Sequence, residues 1–184
     1  KTGDEAGITK LEQRITLADD HDDYMPAELD LIDAEQNDGI VTPDVPTDRY
    51  YEWDRPLLSS FPAVTIAVGR VRPFQTLPFN HGSRLDALYD VEVKAHVDVG
   101  TADGLAGNYD SAQVLQRLCF RYGTAIFRVL CIEKPMLHTV ADPTLYAHHT
   151  RMVEVRWGPE QAQESGQKTR TAVVAVEVRK VEAR

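Results

Sequence analysis

Residues 108–134, NYDSAQVLQRLCFRYGTAIFRVLCIEK, contain the one long helical period of this chain. Apolar side chains recur in it at steps of three and four residues, which is the spacing that places them on one side of an α-helix. This apolar stripe consists of Leu115, Leu118, Tyr122, Ala125 and Val129. The polar residues that fall largely off it are Gln116, Arg117, Arg121 and Arg128. The pattern predicts a helix with one side in a core and the other in water.

Residues at both ends of the predicted helix are typical of helix termini. Asp110 suits the N-cap, because its carboxylate can accept a hydrogen bond from an amide of the first turn. Pro135 is the predicted stop, because proline lacks an amide hydrogen and disfavours helical geometry in the residue before it. A helix from Asp110 to Cys131 is about 35 Å long at about 1.5 Å per residue. Such a helix needs a sheet to cover its apolar side.

The sequence predicts four strands for that sheet. In residues 89–99, YDVEVKAHVDV, apolar and polar side chains alternate, which is typical of a strand with one face in a core. Similar patterns predict strands at residues 61–72, 152–157 and 169–181. Their expected inward side chains are Val64, Ile66 and Val68, then Val153, Val155 and Trp157, and last Ala172, Val174, Val176 and Val178.

The order of these elements is β-β-α-β-β. It predicts an α+β domain with a mainly antiparallel four-stranded sheet and one long helix packed on one face. We place this domain at residues 61–184, after an acidic N-terminal extension with short helices at residues 1–60. The connection at residues 73–88 is expected to be either a projecting loop or a wide hairpin end, and the connection at residues 158–168 is expected to be an exposed, polar hairpin loop.

The net charge of −9 is concentrated in that extension. Residues 1–60 carry 5 Lys/Arg against 16 Asp/Glu, a net of −11, and residues 61–184 carry 15 against 13, a net of +2. Such a segment argues against binding a phosphate backbone, which requires Lys and Arg. We interpret it as a solvated acidic surface or arm. A short helix with Ile8, Leu11 and Ile15 on one face and another near residues 26–35 are expected within it.

The aromatic stretch YYEWDRP, at residues 50–56, has two interpretations. It either pins an irregular segment onto the body of the protein or presents a docking surface. No apolar run approaches the roughly 18 residues of a membrane span, and no signal pattern opens the chain. We therefore expect no membrane association and a protein made in the cytosol.

Binding sites for ions and phosphates are weakly supported. The acidic run at residues 19–23 lacks the alternating ligands and the glycine of a calcium loop. The glycine-containing loop at residues 100–110 has neither a P-loop ending nor dinucleotide spacing, and Asp103 and Asp110 would repel an anion. Cys119 and Cys131 are separated by about 18 Å of predicted helix, which is too far for a disulfide. We predict no catalytic, cofactor-binding or metal-binding residues and no cofactor.

In its layout, the chain resembles the tail terminator proteins (also called tail-completion or minor tail proteins) of long-tailed bacteriophages. The resemblance covers residues 61–181. It rests on FPAVTI at residues 61–66, YDVEV at residues 89–93, the helix from Asp110 to Cys131 and the closing pair of strands. It implies a virion protein of the tail–neck region, assembled in the host cytoplasm, and it brings no catalytic residues with it.

The resemblance also implies partners. A homo-hexameric ring would cap the tail tube protein, end tube growth and give the surface for joining the head through a head-completion or neck protein. DNA would pass through the lumen without specific binding. Two alternatives stay open: another phage neck or head-completion connector, and a small metal-dependent enzyme or binding domain that uses His96, His138, His148 or His149.

Overall fold

A computed structural model describes residues 8–16, 24–54, 58–74, 86–107, 109–133, 146–162 and 168–182. Several features that the sequence singled out lie outside these ranges. They are the acidic run at residues 19–23, Pro135, His138 and the central parts of the two predicted loops, residues 75–85 and 163–167.

The described strands form one sheet. They are β1 (Tyr50–Tyr51), β2 (Ala63–Phe74), β3 (Asp86–Asp98), β4 (Tyr146–Trp157), β5 (Gln161–Ala162) and β6 (Lys168–Glu182). Their spatial order is β1-β2-β3-β6-β4, and the short β5 also pairs with β6. Every pair is antiparallel except β1 with β2, which run parallel. The α+β class is therefore confirmed, but the sheet is mixed and has more than the four antiparallel strands that we predicted.

Four α-helices occur in the described chain. They are α1 (Ile8–Thr16), α2 (Met25–Gln36), α3 (Val99–Leu105) and α4 (Ser111–Phe127), which continues as a π-helical turn at Arg128–Glu133. The expectation of one long helix is therefore only partly right. The segment at residues 100–110, predicted as a loop, holds most of α3. Asp98 caps this helix by accepting a hydrogen bond from the Thr101 amide at 3.0 Å, so β3 ends one residue earlier than predicted.

The helix α4 lies on the sheet as its stripe predicts. Asp110 is its N-cap and accepts a hydrogen bond from the Ala112 amide at 3.0 Å. All five residues of the predicted stripe are buried, and α4 packs mainly over β3 and β6. One expectation is wrong, because Arg121, which falls off the stripe, is also fully buried.

The inward face of the sheet follows the predicted alternation in its central strands. In β3 the buried residues are Tyr89, Val91, Val93, Ala95 and Val97. In β6 they are Ala172, Val174, Val176 and Val178. These two sets lie opposite one another in register, with Val93 facing Val174 and Ala95 facing Ala172. The centre of the core is therefore a β3–β6 surface beneath α4.

The predicted burial is wrong at the outer strands. Val68 and Trp157 lie opposite inward residues, yet both are exposed, because α4 covers β3 and β6 more than the sheet's edges. Val153 is exposed because the register of β4 shifts between Met152 and Glu154, and such a bulge turns the extra residue away from its expected face. β4 also begins at Tyr146 rather than at Met152, so this strand is six residues longer at its start than predicted.

The N-terminal third shares the same core. Leu11 and Ile15 of α1, and Met25, Leu29 and Ile32 of α2, are fully buried in one cluster with the residues of α4 and the sheet. Of the two interpretations, a solvated surface or an arm, the arm is therefore wrong for residues 8–16 and 24–54, because most of their large apolar side chains turn inward. None of the described helices is long and apolar enough to cross a membrane.

The close approach of α4 to the sheet depends on Gly123. A Cβ at this position would lie 3.1 Å from the Ala172 Cβ and 3.4 Å from the Trp157 Nε1. We predict that Gly123→Val lowers the free energy of unfolding by about 1–3 kcal/mol through overpacking. The matched control is Gly104→Val in α3, because a Cβ there meets nothing within 4 Å. Urea unfolding of both variants measures the difference. Equal losses of unfolding free energy would show that the close contact at Gly123 does not cause the destabilisation.

Candidate functional site

Arg121 is the most heavily bonded side chain that joins the N-terminal third to the sheet domain. It is 1% exposed, and its guanidinium reaches two carboxylates of the acidic third. Its Nη1 donates to Asp33 Oδ1 at 2.6 Å, and its Nη2 donates to both oxygens of Asp38 at 2.7 Å. Nη1 also donates to the carbonyl oxygen of Ile40 at 2.8 Å and lies 3.3 Å from the Thr42 hydroxyl.

The segment after α2 folds around this guanidinium. Asp33 accepts hydrogen bonds from the Thr42 amide and hydroxyl, and Asp38 accepts one from the Ile40 amide. Two residues of the turn, Asn37 and Gly39, have positive φ values of 45° and 79°, a conformation that asparagine and glycine tolerate. The chain can therefore reverse tightly enough to bring both carboxylates to one arginine.

The pKa of Asp38 reflects this arrangement. Burial acts to raise it, but hydrogen bonds from Arg121, the Ile40 amide and Arg117, together with the charge of Arg121, hold the pKa of this carboxyl below its ordinary value. A carboxylate whose pKa is lowered by folding stabilises the folded state above its unfolded pKa, near 3.9. That stabilisation is lost as the pH falls through the lower, folded-state pKa.

Two further arginines of the same helix face the acidic third. Arg117 donates to Asp38 at 2.7 Å and lies over the ring of Tyr109 at 4.6 Å. Arg128 donates to Glu35 at 2.9 Å. The spacing of these three arginines, four and then seven residues, places them on one side of a helix. This spacing is the sequence signal that could have identified the contact between α4 and the acidic third. It does not show that, of the three arginines, Arg121 is the one that is fully buried.

We predict that Arg121→Met lowers the free energy of unfolding by about 3–5 kcal/mol, because it leaves two carboxylates without their buried partner. The control Arg117→Met removes a half-exposed arginine that also bonds Asp38, and should cost less than about 1 kcal/mol. Urea unfolding at pH 7 measures both.

The same pair of variants tests the electrostatic cause. Wild-type stability should fall as the pH is lowered from 5 towards 2, and this fall should be smaller in Arg121→Met, because the pKa of Asp38 is then no longer lowered by that arginine. If Arg121→Met lost as much stability between pH 5 and pH 2 as the wild type does, Arg121 would not be the cause of the lowered pKa of Asp38.

The outward face of the sheet is charged and internally paired. Arg72 bonds Asp90 at 2.5 Å and Glu177 at 2.8 Å, which links three neighbouring strands. Lys94 bonds Asp54 at 2.7 Å and Glu92 at 3.0 Å. Cross-strand pairs of opposite charge stabilise a sheet modestly. Here they also neutralise much of this face.

His96 lies in this face between two threonines. Its Nε2 is 3.0 Å from the Thr65 hydroxyl and its Nδ1 is 3.0 Å from the Thr171 hydroxyl. A neutral imidazole satisfies both contacts, since one nitrogen donates and the other accepts. Burial, and next the charge of Lys94, lower the pKa of His96 to about 4.

Of the four histidines that we considered as metal ligands, the structure describes the side chain of His96 alone. His148 and His149 are neighbours within β4, and His138 lies outside the described residues. Among the described residues, no group of three or more His, Cys, Asp or Glu side chains could hold a metal ion. Cys119 and Cys131 are free thiols, as predicted, and burial raises the pKa of each to about 11.

We predict that His96 makes stability depend on pH between about 6.5 and 4. The unfolded chain takes up a proton near pH 6.5, whereas folded His96 stays neutral until about pH 4, so its stabilisation is complete above 6.5 and lost on acidification. His96→Gln removes the titrating group and should flatten the stability curve in this window. An NMR titration of wild-type His96 with a midpoint near 6.5 would contradict the prediction.

The two long edges of the sheet are distinct surfaces. Along β4, no described strand pairs on the side away from β6. Along β2, the short β1 pairs only with Val64 and Thr65, and no described strand lies beside Ile66–Phe74 on that side. We call these the β4 edge and the β2 edge. An uncovered strand edge is a template for pairing with another chain.

Exposed apolar side chains collect at both edges. On the β2 edge they are Trp53, Val68 and Val71. On the β4 edge they are Phe120, Met152, Val153 and Trp157. They account for seven of the ten large hydrophobic side chains that are exposed in the described chain. The sequence indicated only the Trp53 part of this surface, as one of two interpretations of residues 50–56, and its alternation wrongly predicted that Val68, Val153 and Trp157 lie in the core.

A pocket adjoins the β4 edge. It has a volume of about 490 Å³ and is lined by Gln36, Gln113, Gln116, Arg117, Phe120 and Arg121. The Phe120 ring on its rim is stacked with Trp157 of β4, with centroids 5.6 Å apart and planes at 22°. We call Phe120 and Trp157 the aromatic pair. Its chemistry suits recognition of an apolar or aromatic group beside carboxamides.

Comparison with known proteins adds no family to these observations. The chain matches no model of a protein family, and none of the curated proteins matches it at a significant level.

Proposed function

We propose that this protein is the structural subunit of a head-to-tail ring that caps the tail tube of a long-tailed bacteriophage. The ring ends tube growth and gives the surface on which the head is joined. The observation that carries the proposal is the pair of different apolar edges on one sheet. A ring closes through two unlike surfaces, each of which binds the other on the next copy.

The strand directions favour such an association. β2 is antiparallel to β3, β3 to β6, and β6 to β4, so β2 and β4 run in opposite directions at the two ends of the sheet. When a second copy is placed beside the first, the β4 edge of one therefore meets the β2 edge of the next antiparallel. The antiparallel alternation of β2, β3, β6 and β4 therefore continues across the interface.

The apolar side chains also match in height along the strands. Met152 pairs with Val176, Val176 with Val91, and Val91 with Val68, so Met152 and Val68 end the same row on opposite edges. Side-by-side copies at equal height bring these two exposed side chains together. Burial of apolar area is the main favourable term in such contacts.

In this function the protein acts by assembly and not by catalysis. Its partners are the five other copies in a hexameric ring, the tail tube protein below and a head-completion or neck protein above. It is located in the virion at the tail–neck region after assembly in the host cytoplasm. The exposed carboxylates of the N-terminal third are the proposed contact with the neck. A net charge of −9 suits a lumen that DNA traverses without specific binding.

The loops at residues 73–88 and 158–168 are proposed to contribute contacts to the next copy or to the tube. Another phage neck or head-completion connector would use the same two edges and differ only in its position in the particle. The metal-dependent alternative is less well supported, because both ring nitrogens of His96 already face threonine hydroxyls.

We predict that the wild-type chain has the native mass of a hexamer, or becomes a ring on the ends of tail tubes, and that Val153→Lys prevents this. Val153 is 58% exposed on the β4 edge, so a lysine there leaves the core intact but opposes strand pairing. Light scattering after size exclusion, with and without tail tube protein, measures the mass.

The matched control is Val41→Lys, which places the same charge at a 69% exposed valine away from both edges and should assemble as the wild type does. A wild-type chain that stays monomeric and indifferent to tube would contradict the proposal. So would a ring that forms unchanged in Val153→Lys.

A further inference from the structure

Trp53 is held outward at the β2 edge by its two neighbours. It is 69% exposed, which is unusual for the largest apolar side chain. Before it, Glu52 accepts a hydrogen bond from the Thr9 hydroxyl of α1 at 3.3 Å. After it, Asp54 accepts one from Lys94 of β3 at 2.7 Å. The indole therefore projects from a segment that is tied to the body on both sides, so little conformational freedom remains to be lost on binding.

The aromatic pair on the β4 edge is a receptor of matching chemistry. Phe120 and Trp157 are each 45% exposed. The rim ring of Phe120 leads into the pocket of about 490 Å³ beside α4. An incoming indole could stack on Phe120 or Trp157, and its N–H could donate to a glutamine carboxamide of the pocket.

The two features lie near the opposite ends of one cross-strand row. Trp157 pairs with Ala172, Ala172 with Ala95, Ala95 with Val64, and Val64 with Tyr50 of β1. Trp53 follows Tyr50 by three residues, which span at most about 10 Å. The aromatic pair therefore lies at one end of this row and the indole lies close to the other end. A neighbour placed edge to edge brings its Trp53 close to this pair.

Charge at the two ends is complementary. Glu52 and Asp54 flank Trp53 and are exposed. Arg117 beside the pocket and Arg156 beside Trp157 are also partly exposed. Both arginines already bond carboxylates of their own chain, Asp38 and Glu92. Their contribution is therefore to orientation and to the rate of encounter rather than to a large gain in affinity.

We propose that Trp53 of one copy packs against the Phe120–Trp157 pair and the adjoining pocket of the next copy, and that this contact sets the register of self-assembly. The inference rests on the head-to-tail association of the proposed function. It does not depend on the phage setting. The occupant of the pocket is a second copy of this chain, because the indole near one end of the row, the aromatic pair at the other end and the opposite charges beside them belong to the same chain.

The decisive experiment removes one side of the proposed contact at a time. Trp53→Ala removes the indole and keeps the aromatic pair, whereas Phe120→Gln damages the pair and keeps Trp53; both sites are solvent-facing, and circular dichroism verifies folding. We expect each variant to need an at least 30-fold higher concentration to associate, as for a hot-spot aromatic. Leu31→Ala, on the exposed side of α2, is the control and should associate as the wild type does.

Mixing the two variants separates this contact from a symmetric one. One intact Trp53 and one intact aromatic pair remain, so an equimolar mixture should give a two-chain species at a concentration where each variant alone is monomeric. A mixture that stays monomeric, or a Trp53→Ala variant with wild-type mass, would overturn the inference. A symmetric dimer through two β4 edges would appear as a Trp53→Ala protein that still dimerises.

Fluorescence gives a second readout, since the chain has only two tryptophans. In Trp157→Phe, Trp53 is the single reporter, and its emission should shift to shorter wavelength as the concentration rises through assembly. Emission that stays that of a water-exposed indole in the assembled state overturns the contact. These readouts need no tail tube. If the chain assembles through Trp53 but does not bind tail tubes, this inference holds and the phage function is wrong. If a ring caps tubes without needing Trp53, the phage function holds and this inference is wrong.

Discussion

The buried guanidinium of Arg121 is the constraint on which the rest of the structure depends. It carries a full charge inside the protein, and the free-energy cost of removing that charge from water is offset only when its partners are close and complete. Asp33, Asp38 and the Ile40 carbonyl supply those partners from the segment after α2. The arginine therefore fixes where the N-terminal third turns and holds α2 against α4. The pocket between Gln36 of α2 and Phe120 of α4 exists because these two helices are held together.

Charge and apolar surface are separated on the outside of the molecule. On the outward face of the sheet, lysines and arginines bond carboxylates of other strands and of Asp54, so the charges of this face are largely paired. Most of the exposed apolar side chains lie instead at the two ends of the strand order, which α4 covers less than it covers β3 and β6. A protein that binds other copies through its edges needs this division, since a paired polar face resists face-to-face association while apolar edges favour extension of the sheet.

The buried histidine and the two cysteines are held in their uncharged forms by their surroundings. His96 is kept neutral by burial and by the nearby Lys94, and its nitrogens face two hydroxyls. Cys119 and Cys131 keep their protons because burial raises their pKa values. These groups serve the packing of the sheet and of α4. Exposed aromatic side chains lie instead at the two edges of the sheet, with Trp53 near one end of a cross-strand row and the aromatic pair at the other, so the proposed function is one of shape and assembly.

The sequence by itself determined the elements that depend on local periodicity and capping. The stripe of α4, the alternation in β3 and β6, the Asp110 cap and the α+β class could all be read from it, because neighbours along the chain decide which face of an element is apolar. Only the tertiary structure decided that Arg121 is buried, that Val68, Val153 and Trp157 are exposed, and that Tyr50 and Trp157 end one row. Arg121 and Asp38 are 83 residues apart, and the row passes through five strands. Burial and alignment of this kind depend on which distant segments meet, and a one-dimensional pattern does not encode how far a helix covers a sheet or where a register shifts.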